Sequence, residues 1–151
     1  MTCGAVTFHA RRPAVRRLVL PALTIALTVG FGLVASFSVP AQAQDAAAGE
    51  VVFRKCRACH QVGEGARNLV GPQLNGVIGR PAATVEGYSY SQAMKESGIT
   101  WDEANLKHWM QNPRDVLRGT KMVFAGLPKD EEVANLLAYL KSFDRDGKSV
   151  R

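Results

Sequence analysis

The chain has 151 residues, with 19 Lys and Arg against 13 Asp and Glu and a formal charge of +6, so it holds one domain at most. All 13 acids follow position 43, whereas Arg11, Arg12, Arg16 and Arg17 precede it, leaving 15 basic residues against 13 acids, or +2, in the remainder. That balance excludes a global electrostatic case for nucleic-acid binding.

Residues 1–43 read as an export signal peptide. The four arginines form a basic start, Leu18 to Val39 is apolar without a charge, and Ala41 to Ala43 fits a small-x-small cleavage site ahead of Gln44. The apolar stretch is longer than the ~7–15 residues of an ordinary signal and approaches the ~20 that span a bilayer. An uncleaved membrane anchor is therefore the alternative, with Pro21, Gly30, Gly32 and Pro40 arguing against it. Neither arginine pair sits in a clear twin-arginine motif. Cys3 departs with the leader, so residues 44–151 carry one cysteine pair into an oxidising compartment, the periplasm.

The remainder reads as short helices joined by glycine-rich loops. Asp45 is a plausible N-cap for a helix that runs into Cys56, with Val52 and Phe53 on one side. From Gly63 to Arg80, five glycines and one proline alternate with Val70, Leu74, Val77 and Ile78, the pattern of a folded loop. Thr100 and Glu103 form a capping box that opens a helix ending at Asn112 before Pro113, with Leu106, Trp109 and Met110 inward. A last helix starts near Asp130, places Val133, Leu136, Leu137, Leu140 and Phe143 three and four apart, and stops at Asp144 to Gly147. No strand signal and no repeat is present. The expected fold is all-α, with three to five short helices. Loops of that length order much backbone for few packed contacts, so something else should fill the middle.

The stretch "VFRKCRACHQV" carries the chemistry. A redox Cys-x-x-Cys pair belongs at the start of a helix that follows a strand; here it follows a helix. A zinc site needs four ligands, and beyond Cys56, Cys59 and His60 only His108 remains as a usual donor. Cys-x-x-Cys-His is the attachment signature of a c-type haem, in which both thiols add across vinyl groups and the histidine binds the iron. A porphyrin would also supply the missing apolar centre. For the sixth position Met94, Met110, Met122 and His108 are candidates. His108 and Met110 lie in the Asn112-bounded helix, whereas Met122 sits in the loop "RGTKMVFAGLP", bounded by Gly119, Gly126 and Pro128. A Met/His pair raises the iron's potential and leaves no open position, which points to electron transfer and not catalysis.

With Cys56, Cys59 and His60 followed in order by "GPQLNGVIGR", "GITW" and "GTKMVFAG", the stretch from Gln44 to Phe143 resembles the class I cytochromes c. The resemblance implies an all-α fold around one covalently bound haem c, with residues 44–151 as the cytochrome c domain. It implies that the first and last helices cross, Gly49 and Phe53 meeting Leu136 and Tyr139. His60 and Met122 would bind the iron, and the Pro72 carbonyl would accept from the His60 ring. Arg80, Tyr90 and Trp101 would bond the propionates, and Thr120 and Asn112 would hold the methionine side. Two departures are Trp109, where the family often has tyrosine, and Arg118, where it often has proline. The implied function is a monomeric electron carrier, not an enzyme, working between a cytochrome bc-type complex and a terminal oxidase or photosynthetic reaction centre. Lys55, Arg57, Arg114, Arg118 and Lys121 would ring the exposed haem edge as the docking face. Alternatives are the same carrier tethered through residues 18–39, or a haem enzyme or gas sensor in which Met122 dissociates.

Overall fold

The computed structural model describes residues 44–150; the expected signal peptide and its cleavage site lie outside the described residues. Asp45 begins the first helix as expected: its carboxylate accepts from the Ala47 N–H at 2.8 Å, and α1 runs Ala46–Phe53. The last helix, α5, covers Asp130–Lys141. Asp130, Glu131 and Glu132 in its first turn and Lys141 in its last both complement the helix dipole.

These two helices cross at Gly49. A Cβ there would overlap the Asn135 carbonyl oxygen and stand 2.7 Å from Tyr139 Cβ, so only glycine permits the approach. The Phe53 and Tyr139 rings pack 5.4 Å apart. Tyr139 is met as expected, but Asn135 is the residue at the glycine, and its Oδ1 accepts from the Asp45 N–H at 2.9 Å.

Three helices lie between. α2, Gln92–Glu96, is capped by Ser91, whose Oγ accepts from the Met94 N–H at 3.2 Å; five residues are too few to display a helical period in sequence. α3, Glu103–Gln111, buries Leu106, Trp109 and Met110. Its cap is Asp102, accepting from the Asn105 N–H at 2.7 Å, and not Thr100. Thr100 and Trp101 (β2) instead pair antiparallel with Arg80 and Pro81 (β1), which commits Thr100 to an extended ribbon. Pro113 ends α3 and opens the short α4, Pro113–Val116, at a position where its missing N–H costs nothing.

Among the described residues the elements are therefore five short helices and a two-residue ribbon, the expected all-α fold. Beyond α5, the tail returns onto the glycine-rich loop. The Phe143 carbonyl accepts from the Gly76 N–H at 3.3 Å, and the φ of +81° at Gly147 brings it against the Gly63 carbonyl. Among the described residues, no helix is long and apolar enough to cross a membrane.

The crossing generates a stability prediction. Gly49→Ala inserts a methyl group where the α5 backbone already stands, an overpacking that costs about 1–3 kcal/mol. Denaturant unfolding of the holoprotein should show a lower midpoint with an unchanged slope.

Candidate functional site

Four of the helices, the ribbon and the loops between them close on one cavity. Phe53 of α1, Leu136 and Leu140 of α5, Leu106 of α3, and Leu74 and Val77 of the glycine-rich loop give it apolar walls. Its cavity volume is about 220 Å³, far beyond a packing void, since ~10–15 Å³ on the same measure is enough to hold one water. The interior is built to hold a large apolar group.

The chemistry enters from the turn after α1. The Cys56 carbonyl accepts from the Cys59 N–H at 3.0 Å and from the His60 N–H at 2.9 Å, which folds both thiols and the imidazole onto the cavity wall. The thiols are not joined. Burial, aided by neighbouring Cys59, pushes the Cys56 thiol above its ordinary value. A redox-active pair wants a lowered value and a thiolate, so the site does not suit disulfide exchange. Nor, among the described residues, do three His, Cys, Asp or Glu gather as a metal cage.

His60 is oriented from behind. Its Nδ1 lies 2.7 Å from the Pro72 carbonyl oxygen. Because a carbonyl only accepts, Nδ1 carries the proton and Nε2 keeps its lone pair. Burial lowers the imidazole's pKa against the opposing effect of this bond, which favours the neutral ring that a metal requires. Sequence reasoning missed Gly71, which lies directly against this ring. A Cβ at Gly71 would overlap the imidazole, coming within 2.7 Å of both ring nitrogens. A glycine before the ligand-orienting proline was the available signal.

Residues 120–124 form a continuous piece of wall without regular secondary structure. Thr120 Oγ1 accepts from the Met122 N–H at 3.1 Å, Lys121 Nζ donates to the Ser89 carbonyl at 2.9 Å, and the Leu127 N–H donates to the Met110 carbonyl at 2.8 Å. Met94, Met110 and Met122 all reach the cavity, whereas His108 is exposed on α3 and does not. Asn112 is also exposed, and its side chain bonds Asp115 and not the Met122 loop.

Arg80, Tyr90 and Trp101 line the cavity together. Arg80 donates from Nη1 to the Asn75 carbonyl at 2.8 Å and from Nη2 to the Gln73 carbonyl at 3.2 Å. The Trp101 and Trp109 rings lie 5.0 Å apart. Tyr88, not anticipated from sequence, meets Tyr90 edge-on at 4.7 Å and donates to the Val70 carbonyl at 2.8 Å. Of the basic residues expected around the opening, Lys55 and Lys121 line it. Lys55 also pairs with Glu132 at 2.6 Å, and Arg57 pairs with Glu50 at 3.3 Å. Arg114 and Arg118 are exposed and lie outside the cavity lining.

Short helices around an apolar cavity, with two thiols and a proton-fixed imidazole on one turn, define a protein that holds a haem covalently. Residues 46–144 match the family "Cytochrome c", and the chain belongs to it. It is 52% identical to cytochrome c-554 of Methylosinus trichosporium, over 83% of this chain and 94% of the relative. It is 48% identical to cytochrome c2 of Blastochloris viridis, over 80% and 95%. Among solved structures it is similar to cytochrome cH of Methylobacterium extorquens, with 47% identity, a TM-score of 0.61, and coverage of 65% of this chain and 98% of that one. Cytochrome c2 of Rhodospirillum centenum gives 42% identity, a TM-score of 0.63, and coverage of 66% and 98%. The chain is accordingly an electron carrier with one covalently attached haem c, and not an enzyme.

Gly71→Ala tests the positioning of His60. The added methyl displaces the ring from Pro72, so the recovered holoprotein should fall several-fold relative to wild type. Haem absorbance per chain after expression measures this, with Val51→Ala, at a 55% exposed position of α1, as control.

Proposed function

We propose that Cys56 and Cys59 form the two thioethers, that His60 and Met122 bind the iron, and that the protein passes single electrons between a cytochrome bc-type complex and a terminal oxidase or photosynthetic reaction centre. The observation that carries the reading is the His60 to Pro72 bond of 2.7 Å, which leaves a neutral Nε2 for a metal on the turn that holds both thiols. When bound, a Met/His-ligated haem supplies a reversible one-electron centre of raised potential with no open coordination position. The residues of the chain hold and insulate it. Pro72 fixes the histidine tautomer, the apolar wall excludes water, and Arg80, Tyr90 and Trp101 would hold the propionates.

Met122 is preferred over Met94 and Met110 for a physical reason. The latter two sit on helices among buried side chains, 7% exposed each, where a thioether serves as core filler. Met122 lies outside any helix, so no helical register restricts where its sulfur points. Met122→Ala should abolish the weak sulfur-to-iron band at the red edge of the visible spectrum, lower the potential and admit external ligands, while Met94→Ala and Met110→Ala keep the band. Loss of the band in Met110→Ala alone would overturn the assignment. A gas sensor or haem enzyme, the competing reading, requires a wild type without this band at neutral pH.

Residues 1–43 would direct export to the periplasm and be removed, so the native protein should begin at Gln44 by N-terminal sequencing; retention of residues 18–39 would mean a tethered carrier. As a monomer it would dock through the cavity mouth. Val70 and Val123 stand 76% and 88% exposed there, with Lys55 and Lys121 beside them and Arg114 and Arg118 further out. A small, charge-steered contact suits a partner that must leave quickly. Charge reversal at Arg114 or Lys121 should slow association with an acidic partner and blunt its salt dependence, with spectrum and potential retained. Reversal of Lys148 should have little effect.

A further inference from the structure

The tail beyond α5 closes over the glycine-rich loop at the Asn75–Gly76 pair. Among the asparagines of the chain, only Asn75 precedes a glycine. An amide side chain followed by glycine is chemically fragile, because no side chain shields the next backbone nitrogen from the amide carbon. Here the folded chain holds both reacting groups. Asn75 is 6% exposed; its Oδ1 accepts from the Gly63 N–H at 2.8 Å and its Nδ2 donates to the Gly63 carbonyl at 3.0 Å. The Gly76 nitrogen, which would attack, donates its N–H to the Phe143 carbonyl at 3.3 Å. That bond is the longest of the three and lies beyond the usual ~2.7–3.2 Å.

The tail supplies the guard. Gly147, at a φ of +81°, packs where a Cβ would overlap the Gly63 carbonyl and stand 2.6 Å from Asn75 Nδ2. Arg145 lies across Gly76, its backbone nitrogen 3.0 Å and its Cγ 2.6 Å from where a Cβ would stand. Within itself the tail is a closed turn. Asp144 Oδ1 accepts from the Asp146 and Lys148 N–H groups at 2.9 and 2.8 Å, and the Val150 N–H donates to the Ser142 carbonyl at 2.9 Å. A turn bonded to itself can lift from the loop as one unit, a local opening that leaves the helices folded.

We propose that Asn75 is a deamidation site gated by the tail, so that chains whose tail has opened are marked irreversibly. In the open form the Gly76 nitrogen gives its proton to hydroxide and bonds to Asn75 Cγ, and Nδ2 departs as ammonia. Water then opens the cyclic imide at either carbonyl, leaving aspartate or isoaspartate at position 75. Neither product carries a donor for the Gly63 carbonyl, which loses its partner, so the clasp is weakened for good. In isoaspartate the carbonyl that accepts from Arg80 Nη1 at 2.8 Å becomes the free carboxylate, which sets a new charge beside a residue of the cavity wall.

The test incubates holoprotein at mildly alkaline pH, below its unfolding temperature, and follows by peptide mapping the mass gain of an amide exchanged for an acid at Asn75. Isomerisation at the neighbouring Asp146–Gly147 pair leaves the mass unchanged and does not register. Gly147→Ala, whose methyl group meets the Gly63 carbonyl, should raise the rate about tenfold, the shift in opening that such overpacking produces. Arg145→Ala, at an exposed position, uncovers Gly76 without a clash and should raise it about threefold, so the test stands even if Gly147→Ala yields no holoprotein. Gly49→Ala loosens the helix crossing and not the clasp, and should convert at the wild-type rate. Conversion absent or equally fast in wild type and both tail variants would overturn the proposal. Equal acceleration in Gly49→Ala would do so too, since global unfolding and not the tail would then be the gate.

Discussion

The contact of α1 with α5 at Gly49 is the constraint from which the rest of the structure follows. With no side chain at that point, the Asn135 backbone and Tyr139 reach α1 directly, and the two helices bring Phe53, Leu136 and Leu140 to one wall of the cavity. Cys56 follows Phe53 by three residues, its N–H donating to the Phe53 carbonyl at 2.8 Å, so the attachment turn inherits its position from the crossing. A bulkier residue at Gly49 would push apart the wall and the motif that faces it.

A cavity of this size in a domain this small leaves little chain for regular structure, and the loops must satisfy their own polar groups. They do so with side chains. Asn75 bonds both the N–H and the carbonyl of Gly63, Gln61 accepts from the Arg67 N–H, Asn68 from the Gln73 N–H, and Arg80 donates to two carbonyls. Among the described residues no buried side-chain nitrogen or oxygen lacks a partner. These bonds replace the ladders of helix and sheet, and their net contribution of about 1 kcal/mol each orders a segment that hydrophobic burial alone would leave loose. The exposed ion pairs, Lys55 with Glu132 and Lys107 with Asp130, contribute less. Their importance is to surface charge: pairing consumes part of the positive field near Lys55 and leaves Arg114 and Arg118 without an ion-pair partner among the described residues.

Local features were legible in the sequence because they depend on neighbours along the chain. The cap at Asp45 is a bond across two residues, and the α5 stripe is a property of helical geometry. The Cys-x-x-Cys-His spacing fixes a single turn, so its chemistry could be read before any fold was known. The long glycine-rich loop was also visible, and with it the need for a large apolar group. The helix cap at Asp102 was misassigned to Thr100 because the ribbon that occupies Thr100 pairs it with Pro81, nineteen positions away.

Features that depend on close approach between distant segments were decided by the tertiary structure alone. Asn135 meets Asp45 across ninety positions. Gly71 is indispensable only because the His60 ring occupies the space its side chain would fill. Exposure of His108 removes it from the cavity, whereas Met94, Met110 and Met122 all reach it. Arg145 comes to lie against Gly76 only when the tail folds back onto the glycine-rich loop. Sequence determined the fold class and the reactive turn, since backbone hydrogen bonding and side-chain periodicity are local. Which groups face one another across the cavity was settled by steric fit between segments, and no short-range pattern encodes that.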